Sequence, residues 1–168
     1  MKFRFLKYKT RSYLKKNKTL RDNPTYKKAM SIGVIFSVED KQKHAEIKTF
    51  IKKLEHDGKH VKALAYLPAN QENYEFIFDC FTAREISFWG NITASNAMDF
   101  ADTKFDFLIC LDSSPNALIL NLFARSKAKC RIGKFWKEAE PFFEMMIESN
   151  DSTKVLIEQV YKYTTSIK

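Results

Sequence analysis

Asp112, Ser113, Ser114 and Asn116 follow a short apolar run at residues 105–111 and precede a helical pattern that begins at Ala117. A carboxylate, hydroxyls and an amide gathered beyond a strand can bind a sugar or a nucleoside. Glu39 and Asp40 follow a second apolar run at residues 31–38, and one of them can act as a general base across the same crevice. The same residue types also begin helices. Ser, Asp and Asn cap free N–H groups, and acids suit the positive end of the helix dipole. Both readings stay open, with Glu39, Asp40, Asp112, Ser113 and Asn116 as ligand-binding candidates. On the helix-entry reading Asp112→Ala and Asn116→Ala each lose only a cap, about 1 kcal/mol. No set of residues completes a catalytic constellation, so no catalytic residue is assigned.

Cofactor chemistry finds little support. The chain has four Gly, and none falls in the G-x-G-x-x-G or G-x-x-x-x-G-K-S/T spacing that cradles a phosphate. Cys80, Cys110 and Cys130 stand far apart, outside any C-x-x-C pair, and Cys110 and Cys130 fall inside expected strands, where buried inert thiols are common. His56 and His60 are separated by the helix-breaking Gly58. No cofactor and no metal are expected. Three unpaired Cys fit a reducing compartment, and the N-terminus lacks the apolar segment of a signal peptide, so the expected location is cytoplasmic.

Charge is the most uneven property of the chain. Residues 1–30 hold 11 of the 29 Lys and Arg but one of the 20 acids, Asp22; that is +10 there and −1 over residues 31–168. Such asymmetry points to a polyanion: nucleic acid or an anionic membrane surface. Arg4, Lys7, Arg11, Lys15 and Lys18 recur at spacings of three and four, one stripe on a helix. Leu6, Tyr13 and Leu20 recur every seven residues on the other side, with Lys2, Lys9 and Lys16 beside them. A membrane-surface helix has a wider apolar face than this, whereas a helix on a phosphate backbone tolerates Lys nearly all round. Phe3, Phe5, Tyr8 and Tyr13 can stack on unpaired bases or pack on the body. A solvated helix docked on the body is the plain structural alternative. A second basic run, residues 113–137, holds Arg125, Lys127, Lys129, Arg131, Lys134 and Lys137 with no acid, and Trp136 lies among them.

The elements that must position these groups alternate. Helix is expected over residues 1–22, ended by Asp22-Asn23-Pro24, since the residue before Pro is driven from the α region. Buried strands are expected at 31–38, 61–67 and 105–111, and a further strand ends at Gly133. Residues 74–81 read as a strand or a helix, the strand being preferred, 85–89 as a short strand, and 142–147 as an edge strand or a turn of helix. Helices are expected at 44–54, closed by Gly58, at 94–100 capped by Thr93 or Ser95, from Ala117 with Pro115 in the first turn, and at 152–167 with Val155, Leu156, Val160 and Tyr163 inward. The result is an α/β class fold: one Rossmann-like, mostly parallel sheet in the order 3-2-1-4-5, helices on both faces, preceded by a basic helix. The chain divides into a helical arm, 1–30, and an α/β domain, 31–168. Ligands of such sheets bind where the strand order reverses, here between residues 37–40 and 112–116.

Two resemblances bear on function. From Phe105-Asp106-Phe107-Leu108-Ile109 to Arg131-Ile132-Gly133 the chain resembles a segment of heptosyltransferase-type glycosyltransferases, which implies a Rossmann-like half domain. Their donor-binding second domain has no room here, and their Gly-Asp pair after the first strand is missing. From Ser31-Ile32-Gly33-Val34 to Arg131-Ile132-Gly133 the chain also resembles a bacterial family of short α/β proteins of unknown function, which implies no activity. The expected function is non-enzymatic binding of RNA or a ribosomal particle through Arg4, Lys7, Arg11, Lys15, Lys16, Lys18, Arg131 and Lys134. The alternatives are a small-molecule ligand, sugar or nucleotide, in the 37–40/112–116 crevice, and an anionic membrane surface.

Overall fold

Five consecutive buried residues, Ile32 to Phe36, make the first strand the centre of the molecule. A strand without polar alternation needs cover on both faces, and parallel sheets supply it. The computed structural model describes residues 1–73 and 77–167. The elements run α1 (Lys2–Lys16), β1 (Ser31–Ser37), α2 (Lys41–His56), β2 (His60–Tyr66), β3 (Asp79–Phe81), α3 (Ser95–Asp102), β4 (Phe107–Cys110), α4 (Ala117–Arg125), β5 (Cys130–Lys134), β6 (Met145–Ile147) and α5 (Thr153–Thr165). Short 3-10 turns follow α1 at Lys18–Leu20 and precede β6 at Lys137–Phe142. The chain forms a single α/β domain with the Rossmann-like strand order β3-β2-β1-β4-β5-β6. Every neighbouring pair of strands is parallel.

β1 lies between β2 and β4, so the order reverses there as the sequence implies. Ile32 pairs with Phe107 and Ile35 with Cys110. Right-handed crossovers send the helices leaving β1 and β4 to opposite faces. Ile47, Phe50 and Leu54 of α2 and Leu156 and Val160 of α5 pack with Ile32, Val34 and Phe36. Leu118, Ile119, Leu122 and Phe123 of α4 pack with α3 and Ile35 on the other face, and Leu6 of α1 joins them there. Among the described residues no helix is long and apolar enough to cross a membrane.

β1 and β4 are seventy residues apart in sequence, and a carboxylate clamps them at each end. At the start of the strands Asp106 accepts from the Met30 N–H (2.8 Å), the Ser31 N–H (3.1 Å) and Lys129 Nζ (2.8 Å). Burial alone raises the pKa of this carboxyl, but the Lys129 and backbone hydrogen bonds outweigh it and hold the group below the usual carboxylate value. A depressed folded-state pKa gives stability that is present above the unfolded value, about 3.9, and is lost as pH falls through the folded one. Asp106→Asn is therefore expected to flatten the acid limb of a stability–pH profile below about pH 4. Urea midpoints across pH measure this, and an unchanged acid limb would remove the clamp.

Several local expectations are corrected. The order 3-2-1-4-5 gains a sixth strand: residues 142–147, expected as an edge strand or a turn of helix, divide between the end of a 3-10 turn and the edge strand β6. Residues 85–89 are not a strand; they form a turn held by one antiparallel bridge between Ile86 and Ile92, with Gly90 at φ +75°. Of the strand expected at 74–81, residues 74–76 lie outside the described residues, and β3 takes the last three positions. α2 starts at Lys41, because the Asp40 carboxylate accepts from the Lys43 N–H at 2.7 Å. α3 has Ala94 at its N-cap with no side-chain bond there, so neither Thr93 nor Ser95 caps it. Asn116 caps α4, so Pro115 lies outside the helix, which runs from Ala117 to Arg125. On α5 Thr164 is buried and Tyr163 is 46% exposed.

Candidate nucleic-acid interface

α1 forms with no acid in its first turn and Lys15 and Lys16 in its last. Cations at the C-terminal end suit the dipole, whereas Lys2 and Arg4 at the N-terminal end oppose it. The helix is held by packing. Leu6 is 1% exposed and Thr10 is 7% exposed. Thr10 Oγ1 accepts from Asn121 Nδ2 at 2.9 Å, a buried polar contact between α1 and α4. Asn17 Nδ2 donates to the Ala124 and Arg125 carbonyls at the end of α4 (3.2 and 3.0 Å). Arg21 then donates to the Ser126 and Ala128 carbonyls (2.7 and 2.6 Å). Burial and the nearby Arg131 charge lower its pKa to about 10, with Glu144 partly offsetting them. α1 thus lies along α4 as a fixed layer, and the core begins at Leu6.

Gly90 seats the other edge of α1. Its φ of +75° is a left-handed conformation, and a Cβ there would overlap the Leu6 nitrogen and the Phe5 carbonyl carbon. Gly90→Ala adds backbone strain to a clash with helix backbone, so a loss of about 2 kcal/mol or more is expected. Denaturant midpoints measure it; a loss below about 0.5 kcal/mol would mean that α1 is not fixed at this point.

The basic residues divide into two groups. Arg4, Lys7, Arg11, Lys15, Lys16 and Lys18 are all exposed. Among the described residues none of them meets a carboxylate within ion-pair distance. The run at 113–137 behaves differently. Arg125 and Lys127 approach Asp102 (3.5 and 3.8 Å), Lys129 approaches Asp106 (2.8 Å), and Lys134 approaches Asp151 (2.6 Å). Arg131 is no surface residue. It is 5% exposed inside β5, and its guanidinium is forked onto Glu144 (2.6 and 3.0 Å) and donates to the Phe123 carbonyl (3.1 Å). The second basic run is neutralised largely by acids distant in sequence, and α1 keeps its charge open.

Of the crevice residues, Asp112 and Glu39 converge on Lys43, while Asp40 and Asn116 are used as helix caps. Asp112 is 4% exposed and accepts from the Ser37 N–H (2.8 Å), Ser37 Oγ (2.5 Å) and Lys43 Nζ (2.8 Å). Lys43, also 4% exposed, reaches Glu39 as well (2.9 Å). Burial lowers the Lys43 pKa, but the Asp112 charge and the bonds to Asp112 and Glu39 prevail and leave it above its ordinary value. Asp40 caps α2, and Asn116 caps α4 by accepting from the Leu118 and Ile119 N–H groups (3.0 and 2.9 Å). Ser113 is half-buried beside them in the chain. Lys43 had no place in the sequence reading. The available signal was its i,i+4 spacing from Glu39 in the turn that enters the switch point.

Burial holds both strand thiols protonated, with Cys130 pushed up to about 12. Among the described residues no group of His, Cys, Asp and Glu is placed to hold a metal.

This architecture defines a Rossmann-like α/β domain with a basic helix fixed across one helical layer. The chain belongs to a family of unknown function, DUF6913, whose model matches residues 2–167. No curated protein matches the chain.

Proposed function

We propose that the protein binds RNA, free or within a ribosomal particle, through the outer face of α1, as a non-enzymatic cytoplasmic protein. One observation carries this reading: six cations on and just after α1 stand exposed without carboxylates, while most of the other basic run is neutralised by acids outside it. Like charges at i,i+3 and i,i+4 repel by a few tenths of a kcal/mol per pair. Lys2 and Arg4 also work against the helix dipole. A phosphate backbone relieves both penalties and releases counterions in doing so.

A membrane surface fits less well. An interfacial helix buries its apolar face in lipid, and Leu6, the buried apolar residue of α1, is already turned to α4. The sugar- or nucleotide-binding alternative, which the heptosyltransferase likeness implies, requires a free carboxylate at the crevice. Asp112 instead holds a buried ammonium, and a ligand of Asp112 has to displace it.

The test is fluorescence anisotropy with a labelled RNA of about 12 nucleotides at low ionic strength, run beside anionic vesicles and a nucleotide-sugar titration. RNA binding that weakens steeply with salt supports the reading. No RNA affinity at low salt overturns it, and vesicle binding in its place moves α1 to a membrane role.

A further inference from the structure

The turn between β3 and α3 presents aromatic residues to the solvent beside α1. Phe88 is 57% exposed and Trp89 is 61% exposed. Phe5 of α1 lies 6.3 Å from the Phe88 ring and 5.5 Å from the Trp89 ring, and those two rings meet edge-on at 5.2 Å. The patch is held in place: Gly90 is pressed on the α1 backbone, and Lys9 Nζ donates to Asn91 Oδ1. Tyr8, 73% exposed, is one helical turn from Phe5 and one turn from Arg4 and Arg11. It joins the aromatic patch to the unpaired cations.

Large exposed rings in contact with one another mark an interaction site. The neighbouring charge selects the occupant. Arg4, Arg11 and Lys15 attract a polyanion, and flat rings beside them suit a polyanion whose π faces are free. A duplex hides those faces in its stack; a single strand offers them. We infer that Tyr8, Phe88 and Trp89 form a stacking platform for unpaired bases, with Arg4, Arg11 and Lys15 on the adjoining phosphates, so that the ligand class is single-stranded RNA. This rests on the RNA reading above and adds the state of the strand. Base–aromatic stacking tolerates any sequence, because every base has a π face.

The experiment compares Trp89→Ala and Phe88→Ala with the parent, using a uridine-rich single strand of about 12 nucleotides, a duplex RNA of equal length and vesicles rich in phosphatidylserine. Both side chains are more than half exposed, so both variants are expected to fold; circular dichroism checks this, and either folded variant suffices. Each is expected to weaken single-strand binding about tenfold, while duplex affinity changes less than about twofold and the salt slope stays constant. Equal single-strand affinity in parent and variants, with the parent binding both RNAs, overturns the platform and leaves the basic helix standing. A parent that binds no RNA overturns both. Variants that lose vesicle binding while keeping their RNA affinity overturn the platform in favour of a lipid surface.

Discussion

Asp112→Ala is expected to destabilise the protein by about 3 kcal/mol, well beyond the roughly 1 kcal/mol of a lost helix cap. Asp112 and Lys43 are each 4% exposed, and their charges stand 2.8 Å apart. Removing one member of such a pair strands the other in a medium that solvates it poorly; losses of about 3–5 kcal/mol are usual. Glu39 stays 2.9 Å from Lys43, which places this variant at the lower end. Lys43→Met leaves a buried carboxylate with two Ser37 donors and is expected to lose a similar amount. The double variant Lys43→Met/Asp112→Leu removes both charges and is expected to recover most of the loss, since a well-packed apolar pair rivals a buried ion pair. A guanidinium-denaturation cycle gives the coupling directly. Asn116→Ala, a true cap loss, serves as the calibrating variant at about 1 kcal/mol. A loss for Asp112→Ala no larger than that of Asn116→Ala would remove the buried pair as a structural clamp and reopen the crevice to a ligand.

The pair also has an alkaline signature. Its Lys43 pKa is raised, so its contribution is fully present below the unfolded lysine value, about 10.4, and is lost as pH rises through the folded one. The parent should lose stability above that range more steeply than the double variant does.

The parts of the fold that were legible in the sequence share one cause. β1 and β4 read correctly because five and four consecutive buried residues cannot be mistaken for a half-exposed strand. The reversal of strand order then followed from the alternation of strands and helices. What escaped was decided by contacts across long sequence separations. Lys43 lies in a helix rich in Lys and reads as solvated; its burial depends on a carboxylate 69 residues away. The basic run around Arg131 suggests a surface residue, but Arg131 lies between Cys130 and Ile132 in an interior strand, and a strand covered on both faces leaves an Arg nowhere to go except onto a partner, here Glu144. Phe88 and Trp89 gave the turn after β3 the composition of a strand. Their rings in fact meet Phe5, more than eighty residues earlier. The stripe on α1 was legible because helical spacing is local, but the docking of Leu6, Thr10 and Asn17 against α4 was not.

That docking sharpens the largest functional prediction. Lys7, Arg11 and Lys15 are exposed on a helix whose other side is fixed, so replacing all three with Gln removes charge without touching a core contact. Gln keeps a long side chain and good helix propensity, and the melting temperature should stay within a few degrees of the parent. If the five cations Arg4, Lys7, Arg11, Lys15 and Lys18 neutralise five phosphates, log affinity for a single strand should fall with log salt at a slope of about −3.5, at about 0.7 per phosphate. The triple variant should flatten that slope by about two units and weaken RNA binding severely at low salt, with little dependence on sequence. Lys127→Gln and Lys134→Gln, drawn from the run whose charges are already paired, are the control and should shift the slope far less. Anisotropy across a salt series separates the outcomes. An unchanged slope in the triple variant would take α1 out of RNA binding, and a slope that responds equally to the control would spread the interface over the whole basic surface.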